Sequence, residues 1–205
     1  MDRPITSKAI VTGEKLTKVG IAEGVPWSRY VLFATIAIVG CTADLVTKAW
    51  CFSSPRLRSG EIIWQWPGHA GIQLSRNPGA LFGLGAGMVG FFAVLSIIAA
   101  IAIPVWLFRF RAARDGWLTA ALGCVMAGVL GNLYDRLGFS GDSWLAPGMH
   151  EQQAVHFVRD WVLWQWNDRW RWPNFNIADS LLVIGVGVLV LHSILHSAHA
   201  SSSSR

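Results

Sequence analysis

Four apolar runs constrain this chain more than any other feature, because each is close to the roughly 20 residues a helix needs to cross the hydrocarbon core of a bilayer. They cover approximately residues 30–52, 88–108, 117–137 and 177–195. In lipid every backbone N–H and C=O must be satisfied within its own segment, so such runs are expected as helices rather than strands. Composition agrees: 53% of the 205 residues are apolar and 14% charged, with a mean hydropathy of +0.41, too apolar for an ordinary soluble domain. The formal charge of +5 does not point to nucleic acid, since the Lys and Arg flank apolar runs instead of forming one surface stripe. A cleaved leader is not expected either: the first run begins near Tyr30, is too long, and contains Asp44 and Lys48.

Orientation follows from the charged loops. A short basic connection holding Arg109, Arg111 and Arg114 joins the second and third runs, and the positive-inside rule places it in the cytoplasm. Alternation then makes both chain ends cytoplasmic and the two long connections outward-facing. Residues 1–28, which show no sustained period, are expected as a disordered extension, 29–196 as one four-helix domain and 197–205 as a tail. In the first outer connection, strand-like alternation over 61–66 and 71–74 on either side of Pro67-Gly68 predicts a small hairpin. The second is punctuated by Gly and Pro, then carries Trp161, Trp164, Trp166, Trp170 and Trp172, expected as an aromatic belt at headgroup level.

Ionisable groups inside a span cost several kcal/mol, so each needs a partner or a function. Asp44 and Lys48 lie one turn apart near the outer end of the first span, placed either to pair locally or to serve a site. Asn132, Asp135 and Arg136 share one face in the last outward turn of the third span, after Gly128 and Gly131, which permit close helix approach. Asn176 and Asp179, with Ala178 and Ser180 between and beside them, open the fourth span. Three spans thus carry a carboxylate at one outward depth, a convergence that points to proton chemistry, ion passage or catalysis.

Four motifs in order give these residues a family resemblance. Asp44-Leu45-Val46-Thr47-Lys48, Arg76-Asn77-Pro78-Gly79-Ala80-Leu81-Phe82-Gly83, Gly131-Asn132-Leu133-Tyr134-Asp135-Arg136 and Phe175-Asn176-Ile177-Ala178-Asp179-Ser180 resemble the D-x-x-T-K, N-x-G-A-x-F, G-N-x-x-D-R and F-N-x-A-D-S elements of the bacterial lipoprotein signal peptidases. The resemblance implies four transmembrane helices with a small extracytoplasmic sheet, in a multi-pass protein of the bacterial cytoplasmic membrane. It also implies an aspartyl endopeptidase that cuts prolipoproteins before a diacylglyceryl-modified Cys. One catalytic acid is then Asp179. The other is assigned to Asp160 in Val158-Arg159-Asp160-Trp161, where Arg and Trp stand in place of the family's apolar residue and Phe, with Asp135 and His156 as alternatives.

Asn77, Gly79, Asn132, Arg136 and Asn176 become candidates to hold substrate or orient the acids, and Asp44, Lys48, Asp135 and Ala178 to support them. Two carboxyls held close cannot both ionise cheaply, so the pair would offer an acid and a base together, with neither role assigned. No cofactor or metal is expected: Cys41, Cys51 and Cys124 lack metal-ligand spacing, and His192, His196 and His199 read as a solvated helix end. The expected partners are the precursor substrate and membrane lipids, with the enzyme acting as a monomer. The rival reading is a small proton-coupled transporter, although its acids would then be expected nearer the midplane.

Overall fold

A computed structural model describes residues 24–79, 88–143, 156–167 and 169–202, with side chains up to residue 195. Residues 1–23 of the expected extension, 80–83 of the loop motif, 144–155 of the second outer connection and the His196 and His199 side chains lie outside that description. Among the described residues four helices are long and apolar enough to cross a membrane: α1 (Trp27–Ser53), α3 (Val89–Pro104, continued by a π-helical turn at Val105–Arg109), α4 (Gly116–Arg136) and α5 (Ile177–Ser202). A single turn, α2 (Pro55–Arg58), follows α1.

Helix α4 is the axis of the bundle. Of its apolar window 56% is buried, against 11–17% for the other three spans, whose Val, Ile, Leu and Phe side chains face outward as lipid contact requires. Small residues make the central place possible, because helices in lipid gain their association from close packing. A Cβ on Gly128 would strike the Ala178 carbonyl and the Leu182 side chain of α5, and one on Gly123 would lie 3.1 Å from Ile36 Cβ on α1. At the end bearing the Arg109–Arg114 connection, Asp115 caps α4 by accepting from the Trp117 and Leu118 amides, and His192 Nε2 of α5 lies 2.7 Å from its other oxygen.

At the opposite end sits an antiparallel sheet in the order β1 (Ile63–Trp66), β2 (Ala70–Asn77), β3 (Val158–Asn167) and β4 (Trp170–Phe175). The hairpin predicted from the first outer connection is β1–β2. The Trp-rich segment read as a belt is a second hairpin, docked on the first through β2–β3. Trp is a strand former, and the Asn167 side chain builds the turn by accepting from the Arg169 and Trp170 amides. The five Trp therefore do not act alike. Trp161 packs against Cys51, Leu57 and Ile72, whereas Trp164, Trp166, Trp170 and Trp172 are exposed toward the turn end of the sheet. Register decides what β3 offers the bundle: Ser75 pairs with Asp160 and Asn77 with Val158, and a slip of one residue would exchange Asp160 with Arg159.

Candidate active site

The ends of α1, α4 and α5 remote from the Arg109–Arg114 connection meet beneath β3 in a cluster of polar side chains. Its inner part is a chain of opposite charges. Lys48 Nζ lies 2.6 Å from Asp44 Oδ2 and 3.1 Å from Asp135 Oδ2, and all three side chains are fully buried. Arg159 extends the chain, its Nε donating to Asp135 Oδ1 at 2.8 Å and its backbone N–H to Oδ2 at 3.1 Å. Burying charge is tolerable only where partners and hydrogen bonds are complete, and here two acids meet two cations. Gly131 makes room for the arrangement, since a Cβ there would press on the Asp44 carboxylate.

The F-N-x-A-D motif is at once the cap of α5. Asn176 precedes the first helical residue, and its Oδ1 accepts from the Asp179 amide at 2.9 Å while Asp179 Oδ2 accepts from the Asn176 amide at 3.3 Å, the reciprocal pattern of a capping box. A third orphan donor, the Ala178 amide, is met from another helix by Asp44 Oδ1 at 2.9 Å. The position of Ala178, fully buried with its Cβ 3.2 Å from where one on Gly131 would lie, allows that approach. Asp179 is thus fixed in the first turn of α5.

Amides connect the two remaining acids. Asn176 Nδ2 donates to Asp160 Oδ1 at 2.6 Å and to Asn132 Oδ1 at 3.2 Å, and Asn77 Nδ2 donates to Asp160 Oδ2 at 3.2 Å. Asn132 Nδ2 donates to Asp179 Oδ1 at 2.8 Å, while Asn132 Oδ1 also receives Lys48 Nζ at 3.0 Å. Gly79 stands one step back, its amide donating to Asn77 Oδ1 at 3.1 Å. Burial first, then the charge of Asp179, pushes the Asp160 carboxyl up to about 8, against the opposing pull of the Asn77 and Asn176 hydrogen bonds and of Lys48.

These features coincide with a known family. The profile described as Signal peptidase (SPase) II matches residues 36–195. A lipoprotein signal peptidase of Rhodopirellula baltica is 50% identical over 169 residues, 82% of this chain and 74% of the relative. The chain belongs to the signal peptidase II family. A second lipoprotein signal peptidase, from Symbiobacterium thermophilum, is 35% identical over 80% of this chain and 95% of its own length. Among solved structures, a bacterial membrane enzyme determined by the in meso method at 2.3 Å resolution superposes with a TM-score of 0.61 at 26% identity, covering 84% of this chain and 90% of that one. The protein is accordingly a multi-pass bacterial membrane protease of the aspartic class that removes signal peptides, and nothing in these relationships favours a transporter.

Within this signal peptidase the candidates from sequence separate by what they touch. Asp135 has both oxygens engaged by Lys48 and Arg159. His156 is exposed, and its ring lies over Gly138, a residue at φ +77° where any Cβ would collide with it. Asp160 alone of the three shares the Asn176 carboxamide with the cap that carries Asp179. Asp179 in turn lines two apolar grooves. One, of about 310 Å³, is lined also by Trp172, Phe175, Ser180, Val183 and Ile184; the other, of about 570 Å³, runs past Asn132, Arg136 and Val183 to Gly187. Arg136 sits 5.7 Å from the Phe92 ring centroid, with Nη1 3.4 Å from Ser96 Oγ.

Sequence reasoning passed over Arg159, treating it as a departure from an apolar position. A signal was present. Asp44, Lys48 and Asp135 together leave one buried negative charge unmatched, and a cation beside the site was needed to balance it.

Proposed function

We propose that this signal peptidase cleaves diacylglyceryl-modified prolipoproteins immediately before the lipidated Cys, using Asp160 and Asp179 as its reacting carboxyls. The observation that carries this reading is the Asn176 carboxamide holding Asp160 while the same residue caps Asp179 at the mouth of two apolar grooves. An apolar signal helix with a lipid beside its cleavage point approaches from within the leaflet, and grooves open along α5 suit that approach. Asn77, Asn132 and Asn176 orient the acids, Gly79 orients Asn77, and Arg136 faces the substrate. Asp44, Lys48, Asp135 and Ala178 hold the frame.

The raised Asp160 carboxyl keeps the proton at neutral pH, leaving Asp179 as the base. Asp179 takes a proton from water, whose oxygen attacks the scissile carbonyl carbon as Asp160 gives its proton to the carbonyl oxygen. The tetrahedral adduct then collapses as the proton on Asp179 passes to the leaving amine and Asp160 recovers its own. The C–N bond breaks, releasing the signal peptide acid and the new N-terminal Cys.

The site is assigned to the outer face, with both termini cytoplasmic, because Arg109, Arg111 and Arg114 lie at the opposite end of the spans. The peptidase is taken to act as a monomer. The test is cleavage of a lipidated precursor peptide followed by mass, with purified Asp160→Asn and Asp179→Asn. Each is expected to lose about 10³-fold or more in kcat. Cleavage near the parental rate in either variant rejects the assignment, and a product mass that retains residues ahead of the lipidated Cys rejects the specificity.

A further inference from the structure

Arg159 immediately precedes Asp160 on β3 and, by strand alternation, projects from the opposite face. It is buried, its guanidinium 5.9 Å from the Phe52 ring centroid, and it grips the Asp135 carboxylate at two points, through Nε and through its own backbone N–H. The second contact is the more consequential for the site. It ties the Val158–Arg159 peptide of β3, one residue ahead of Asp160, to the end of α4 that carries Asn132, while the guanidinium contact keeps the Asp135 carboxylate turned to receive it.

A longer path leads to the other acid. With Arg159 balancing Asp135, Lys48 can donate to Asn132 Oδ1 at 3.0 Å while pairing with Asp44, and an Asn132 so held directs Nδ2 onto Asp179 Oδ1 at 2.8 Å. Without the guanidinium, a single ammonium would face two buried carboxylates, and its hold on Asn132 would compete with both.

We propose that Arg159 is a positioning residue for the acid pair: through Asp135 it fixes β3 one residue ahead of Asp160, and it leaves Lys48 to orient Asn132 on Asp179. The proposal rests on Asp160 and Asp179 being the reacting carboxyls. Arg159 and Asp135 line neither groove beside Asp179, so the effect falls on turnover rather than on substrate affinity.

The experiment measures kcat and KM for a lipidated precursor peptide across pH, using the full chain in detergent. Arg159→Val is expected to lower kcat about 10- to 100-fold, the scale of a small misplacement of reacting groups, with KM changed by less than about threefold. Its pH–rate profile should move to higher pH, because Lys48, the cation that lowers the Asp160 carboxyl, is drawn toward the two carboxylates it must then balance alone, Asp44 and Asp135. The double variant Arg159→Val/Asp135→Asn should turn over no more slowly than Asp135→Asn alone, since the two act as one unit.

Unchanged kcat and pH profile, a change confined to KM, or multiplicative losses in the double variant would overturn the proposal. If Arg159→Val gives no cooperative melt, Arg159→Gln, which keeps a donor without the charge, is read by the same criteria. Asp160→Asn runs alongside: cleavage by that variant removes the acid-pair reading itself, whereas its silence beside a fully active Arg159 variant removes only the positioning role.

Discussion

Two sets of buried acids lie side by side in this signal peptidase and are held by different chemistry. Asp44 and Asp135 are matched by Lys48 and Arg159 in a closed chain of ion pairs. Asp160 and Asp179 are held by Asn77, Asn132, Asn176 and backbone amides, which fix geometry without supplying a neutralising charge. The difference separates scaffold from chemistry. Ion pairs suit carboxylates that must never change, whereas amide ligands suit carboxyls that exchange a proton.

If the first set is scaffold, breaking it should cost stability above all. Lys48→Met would leave two buried carboxylates with one cation, and loss of one partner from such a cluster typically costs about 3–5 kcal/mol. Thermal melting in detergent should register this as a fall of many degrees or as failure to purify a folded protein. A variant melting like the parent would show that the buried charges are not ionised partners at all.

The amide set should respond in the opposite sense, with rate falling more than stability. Asn176→Ala removes the donor to Asp160 Oδ1 and one side of the α5 cap, while backbone contacts of the cap remain. We expect kcat to drop about 100-fold, as for other small misplacements of reacting groups, against a loss of about 1 kcal/mol for the missing cap. Equal proportional losses in rate and in folded fraction would erase the distinction between the two sets.

Helix packing offers a control that touches neither set directly. Gly128→Ala would push a Cβ onto the Ala178 carbonyl, displacing α5 and Asp179 with it. Overpacking of this kind typically costs about 1–3 kcal/mol, and melting temperature and kcat should fall together. A neutral result would mean that α5 can shift without disturbing its N-terminal residues.

How much of this was legible follows the same division. The spans and the polar positions within them could be read because lipid makes any Asp, Lys or Asn in a helix conspicuous. Asp44, Asn132, Asp135, Asn176 and Asp179 were located by that cost alone, with the helix period placing them on shared faces. The β3–β4 hairpin was less legible: Trp serves equally in interfacial belts and in strands, and nothing local distinguishes Trp161, which packs inward, from the exposed Trp164. Charge balance called for a cation beside Asp135, but that Arg159 supplies it was beyond sequence reach, because the contact joins a strand to a helix across a connection of no regular pattern. The capping of Ala178 by Asp44 was hidden for the same reason.

The smallest effect tests the proton on Asp160 most directly. With its carboxyl raised from 3.8 to about 8 in the folded protein, the native state binds this proton more tightly than the unfolded chain does. Between those two values the unfolded chain holds fewer protons, so the contribution of this group to stability falls as pH rises, then levels off above the folded value. Asp160→Asn removes the titration. Its melting temperature should stand close to the parent's near pH 4 and rise progressively above it toward pH 7.5, a gain accompanied by loss of cleavage. A flat difference across that range would mean that Asp160 is ionised in the folded protein at neutral pH, and the roles of acid and base would then have to be exchanged between Asp160 and Asp179. The ion-paired Asp135 gives the contrast: it contacts both Lys48 and Arg159, so Asp135→Asn would leave a buried cation short of a partner and should destabilise at pH 7.5 rather than stabilise.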